Sequence, residues 1–164
     1  MLQTLFFVKD LKYISKQPEE IALYLLKMSL IAKGKYNRIE VENIEEMLTA
    51  LDVNYFFQMV ATTCDPQMTV TEEEGIWTFK TSTIYSEFEM SFKAGEPFDI
   101  TTPDGREVTC ITTIEDNKFT FDQTAKNEQE KSTRVIKEFN SSGCIITIEL
   151  IGEGVSCVET YQRL

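Results

Sequence analysis

The chain contains no histidine. That absence removes the Ser-His and Cys-His nucleophile pairs, and it removes zinc or iron centres built on imidazole. Cysteine is scarce: Cys64, Cys110, Cys144 and Cys157 are the only four, and no two stand at CxxC spacing. A thiolate metal cage is therefore not encoded, no cofactor is expected, and without a convincing secretory signal the thiols are expected to stay reduced, as in a cytoplasmic protein. Basic residues are in deficit, 16 Lys plus Arg against 27 Asp plus Glu, for a net charge of −11. Coating phosphates requires a basic face, so nucleic acid is not an expected partner. No apolar run reaches the roughly 20 residues of a membrane helix. The longest, over residues 21–32, is interrupted by Lys27.

A composition of 42% apolar and 26% charged residues is that of a folded chain, and 164 residues suffice to bury one full core. Phenylalanine is abundant, 11 against a single Trp. Several of these phenylalanines alternate with polar residues. Phe88-Glu89-Met90-Ser91-Phe92 and Phe119-Thr120-Phe121-Asp122 both have the period of two that marks a strand with one buried face. Turn signals separate such runs at intervals of roughly ten residues. Among them are Glu74-Gly75, Lys93-Ala94-Gly95, Pro103-Asp104-Gly105 and Ser141-Ser142-Gly143. Ten strands follow, over residues 35–42, 67–73, 76–83, 86–93, 97–101, 106–114, 117–124, 130–139, 144–151 and 154–162. A sheet of that many strands hides its edges by closing.

Between the first two strands the pattern is helical. Asn43-Ile44-Glu45-Glu46 reads as a capping box opening a helix over about 44–51. Asp52 or Asn54 caps a second helix carrying Tyr55, Phe56, Met59 and Val60, with Pro66 beyond its end. The first 33 residues differ from the rest. They hold five lysines against three carboxylates, and Pro18, Glu19 and Glu20 suit the start of a helix. A secretory signal fits poorly, because those glutamates directly precede the apolar run. The expected architecture is mainly β: a ten-stranded up-and-down antiparallel β-barrel with a helix-turn-helix lid over residues 34–164, preceded by a helical or disordered extension over 1–33. Barrels of this kind hold a small apolar ligand inside.

Gly34-Lys35-Tyr36, the stretch TSTIYSEFEMSFKAGEPFDITTPDGREV from Thr81 to Val108, STRVIKEFN and VSCVETYQRL resemble the intracellular lipid-binding proteins. This is the fatty-acid-binding protein family of the calycin superfamily. The likeness runs from Gly34 to Leu164. It implies a monomeric, non-enzymatic cytoplasmic carrier of a fatty acid or similar small lipophilic ligand, with transient membrane contact. Members of that family commonly meet the ligand carboxylate with two inward arginines and a tyrosine. The matching positions here are Lys137, Glu159 and Tyr161, and Arg106 matches a further inward position. Tyr85 matches the portal aromatic. Phe88, Met90 and Phe92 match alternate residues that face the cavity, and Phe56, Phe57 and Met59 are placed to close over an acyl tail.

Strand parity bears on these assignments. Val155, Cys157, Glu159 and Tyr161 share one face, and Thr133, Val135, Lys137 and Phe139 share another. An ionised Glu159 beside a ligand carboxylate would raise the cost of burying it. Glu159 either pairs with Lys137, with Arg106 restoring one positive charge, or is protonated or turned away. Three readings remain open. A fatty acid binds through Lys137, Arg106 and Tyr161; a neutral lipophile such as a retinoid suits the Lys–Glu pair; or the pair is structural. A further class is an inert barrel whose residues 1–33 bind a membrane or partner. An enzyme is not expected, because no cysteine has an evident catalytic partner.

Overall fold

Alternation of apolar and polar residues gives strands, and short two-residue turns make them antiparallel neighbours. The computed structural model describes residues 31–164 and Leu23. The expected extension over 1–33, with its helix from Pro18, otherwise lies outside the described residues. Strand β1 (Gly34–Glu42) is followed by helices α1 (Ile44–Ala50) and α2 (Tyr55–Thr63). Then come β2 (Gln67–Glu73), β3 (Ile76–Ser82), β4 (Glu87–Phe92), β5 (Phe98–Thr101) and β6 (Glu107–Glu115). The chain ends with β7 (Lys118–Ala125), β8 (Thr133–Phe139), β9 (Gly143–Leu150) and β10 (Ser156–Arg163). Among the described residues no helix is long and apolar enough to cross a membrane.

The strands form one sheet in the order β4-β3-β2-β1-β10-β9-β8-β7-β6-β5, with every ladder antiparallel. Pairing of β1 with β10 joins the first strand to the last, and β4 and β5 share no ladder. The barrel is therefore nearly closed. Across the β4–β5 gap the rings of Phe92 and Phe98 stack, with centroids 5.4 Å apart and planes 11° from parallel. The β2–β3 hairpin turns on Glu74 and Gly75, both at positive φ, as a tight two-residue connection requires.

The ten expected strands and two helices are present. Two local expectations are corrected. Asn43 adopts the left-handed conformation, φ 59°, and its side chain makes no cap hydrogen bond, so the capping box does not form. Strand β8 starts at Thr133 rather than 130, because Glu130 N–H closes a turn on the Asn127 carbonyl at 3.0 Å. Asn54 does cap α2, its side chain accepting from the Phe57 N–H at 3.2 Å.

Inward residues build the core. Phe79 is 1% exposed and its ring lies 5.4 to 6.1 Å from those of Phe92, Phe119, Phe121 and Phe139. Met47 of α1 packs with Leu150 and Cys157, which seats that helix on β9 and β10. Helix α2 has no buried residue. Gly143 lies where β9 crosses β10 closely: a Cβ there would sit 2.0 Å from the Tyr161 carbonyl oxygen. Gly143→Ala is expected to cost about 1–3 kcal/mol, the range for overpacking, because backbone must move. Urea unfolding would measure it, and an unchanged midpoint would contradict the close approach.

Candidate functional site

Inside the barrel is a cavity of about 330 Å³, at the lower end of the range for small-molecule sites. Its apolar wall includes Met47, Leu51, Met90, Val135, Ile146 and Ile148. Phe57 and Val60 of α2, Thr83 and Ser86 between β3 and β4, and Thr102 to Asp104 between β5 and β6 also line it. The half-exposed Phe57 places its mouth beneath α2. Among the described residues five charged side chains line this space: Arg38, Asp104, Arg106, Lys137 and Glu159. Burying each charge requires a partner.

Glu159 finds its partner in Arg38, with Nη1 to Oε1 at 2.9 Å and side chains only 6% and 13% exposed. The Glu159–Lys137 pair is not formed. Register gives the reason: Lys137 pairs with Ile146 on β9, and Ile146 pairs with Glu159 on β10. The two are separated by two strand spacings, about 10 Å. Arg38 lies on β1, directly beside β10, opposite Tyr161. Its other terminal nitrogen donates to the carbonyls of Ala61, at 3.1 Å, and Cys64 at the end of α2. A cation there meets the negative end of the helix dipole. Tyr161 O–H donates to the second carboxylate oxygen of Glu159 at 3.3 Å. Burial, reinforced by the Glu159 charge, pushes the Tyr161 hydroxyl well above its usual range.

Arg106 is held by Asp104 through Nε at 2.5 Å and Nη2 at 3.2 Å. It also donates to the Lys131 carbonyl and to Thr133 Oγ1, the latter at 3.5 Å. Burial raises the Asp104 carboxyl, but Arg106, together with hydrogen bonds from Thr102 and the backbone, more than offsets it and the net effect is downward. Lys137 is 8% exposed and in none of the ion pairs among the described residues. Its ammonium lies 3.7 Å from Met68 Sδ and 5.1 and 5.9 Å from the ring centres of Phe79 and Phe121. Desolvation pushes it below the usual lysine range. The described lining thus holds three basic side chains against two carboxylates, and Lys137 is the basic one outside the two ion pairs.

A depressed lysine destabilises the fold fully below its folded value, and the cost fades as pH rises toward the unfolded value of 10.5. Lys137→Met should therefore raise the Tm of the empty protein at neutral pH by a few degrees. The gain should vanish above pH 10.5. A Tm difference that is the same at all pH values would contradict this.

Of the residues singled out in the sequence, Lys137, Tyr161, Arg106, Glu159, Phe57, Phe88 and Met90 line one cavity. Phe92 does not; it belongs to the aromatic stack that spans β4 and β5. Tyr85, 70% exposed, lies in the β3–β4 turn outside the lining, and Phe56 and Met59 are exposed on α2. Sequence reading missed Arg38 and Asp104. Arg38 carried a usable signal, since it shares strand parity with the core residue Tyr36. That signal is blurred by Ile39, which a register shift between Arg38 and Glu40 leaves 60% exposed.

Comparison with known proteins agrees with this geometry. The family model described as lipocalin / cytosolic fatty-acid binding protein family matches residues 33–162. A fatty acid-binding protein of Tyrophagus putrescentiae is 30% identical over 79% of this chain and 95% of its own length. Cellular retinoic acid-binding protein 2 of Mus musculus is 31% identical over 79% and 96%. The solved Schistosoma mansoni fatty acid binding protein in complex with arachidonic acid superposes with a TM-score of 0.76. It is 26% identical, covering 84% of this chain and 98% of that one. With ten antiparallel strands closing around an apolar cavity, and a family match spanning nearly all of them, the chain belongs to the lipocalin / cytosolic fatty-acid binding protein family.

Proposed function

We propose that this chain is a non-enzymatic, monomeric cytoplasmic carrier that reversibly takes one long-chain fatty acid or similar lipid into the barrel. The observation that carries the reading is Lys137, the one cation among the described cavity residues that is in no ion pair, beside a largely apolar wall. Each buried CH₂ of an acyl chain contributes about 0.8 kcal/mol, and the carboxylate must not be stranded in the interior. Lys137 meets the carboxylate, and proximity of the anion favours the charged ammonium. Phe88, Met90, Val135 and Ile148 contact the tail. Phe57 closes the mouth, and Tyr85 meets the lipid only in transit. Residues 34–164 form the binding domain, and the exposed apolar side chains of α2 touch donor and acceptor membranes transiently.

A delipidated sample titrated with a fluorescent fatty-acid analogue should take up one molecule per chain, displaced by an unlabelled C16 acid. Lys137→Met should weaken the acid by about 10- to 100-fold, the worth of a charge-assisted hydrogen bond. Absence of binding at micromolar concentration would overturn the reading.

A second reading is favoured by one observation. Arg38 and Arg106 are each neutralised by the protein's own carboxylate. A neutral lipophile such as a retinoid avoids competing with those pairs. Mass spectrometry of lipid extracted from the purified protein separates the two: a co-purifying carboxylic acid supports the first, an alcohol or ester the second.

A further inference from the structure

Among the described residues Lys137 is the one amine that lines the cavity, and its surroundings differ from those of the surface lysines. Lys80, Lys126 and Lys131 stand at the surface, each with a carboxylate 2.7 to 2.8 Å away. Around Lys137 Nζ are a thioether and two aromatic faces. The cavity carboxylate whose charge reaches Lys137, Glu159, is already bound by Arg38 and Tyr161. A lysine desolvated among apolar groups is a nucleophilic amine, and the partner electrophile it suits is a carbonyl. Burial pushes the Cys157 thiol in the same lining, and the Cys144 thiol, up to about 12.

We propose that Lys137 is a reversible covalent attachment point for a long-chain aldehyde lipid, held in the cavity as an imine on Nζ. This rests on the carrier reading, because the acyl tail must first enter the barrel. The unprotonated amine adds to the aldehyde carbon, and a proton passes from nitrogen to oxygen to give a carbinolamine. Loss of one water then leaves the C=N bond. No electron is gained or lost, so no oxidant or reductant is needed. Hydrolysis reverses the sequence and releases the aldehyde. The apolar wall around Nζ keeps water scarce and favours the condensed form.

The test uses the full chain, delipidated, with hexadecanal as probe and cyanoborohydride as trap at pH 7. Reduction converts the imine to a secondary amine, so the protein should gain one aldehyde mass less one oxygen. Peptide mapping should place the label on Lys137 at least about tenfold faster than on any exposed lysine. Lys137→Met and Lys137→Arg should both lose that fast label, and excess C16 acid should slow it in the wild type. The fluorescent analogue is followed in the same samples. If hexadecanal displaces the analogue while Lys137 stays unlabelled, or labels no faster than surface lysines, the imine is overturned and the carrier reading stands. If neither probe enters, both fall.

Discussion

Glu159→Leu should destabilise the unliganded protein by about 3–5 kcal/mol, the cost of stranding one member of a buried ion pair. Arg38 would be left without its carboxylate, 6% exposed, with only the two carbonyls at the end of α2. For a chain of this size that is a fall in Tm of roughly 6–20 °C. The double variant Arg38→Met/Glu159→Leu should recover most of the loss, because removing both charges removes the desolvation cost as well. The same single substitution should tighten fatty-acid binding by about 10- to 100-fold, since Arg38 becomes available to the ligand carboxylate. Thermal melts and displacement titrations read the two effects. A variant as stable as the wild type, with unchanged affinity, would show that the pair is not formed in solution.

Phe79→Ala should cost a further class of interaction about 3–5 kcal/mol, the range for truncating a buried phenylalanine. The ring is 1% exposed and is flanked by four other phenylalanines. It is also the one ring of that cluster that lines the cavity, and Lys137 rests on its face. Truncation therefore opens the aromatic layer into the cavity and removes a cation–π contact. Phe79→Leu should lose less, since it retains most of the volume. Urea unfolding should show a lower midpoint with an unchanged slope. A loss under about 1 kcal/mol would mean the layer repacks freely.

The barrel was legible in the sequence because its signal is periodic. Phe88-Glu89-Met90-Ser91-Phe92 and Phe119-Thr120-Phe121 become β4 and β7 with the expected faces inside. The inward placement of Glu159, Tyr161 and Lys137 followed from the same parity. Pairing between charges was not legible in that way. It depends on which strands are neighbours, and the β1–β10 ladder that brings Arg38 to Glu159 joins residues 121 apart. The gap between β4 and β5, and with it the diversion of Phe92 from the cavity to a stack on Phe98, is likewise a property of the closed sheet. The capping box at Asn43 failed for a local reason, since asparagine tolerates the left-handed conformation that the entry to α1 adopts.

The most direct test of an acyl guest inside the barrel is an isotope-filtered NMR measurement on the delipidated chain loaded with uniformly ¹³C-labelled C16 fatty acid. Contacts from the labelled tail to the side chains of Met90, Val135, Ile146 and Ile148 are the predicted result. Contacts confined to the exposed Ile84, Tyr85 and Phe56, with none to those four, would contradict it.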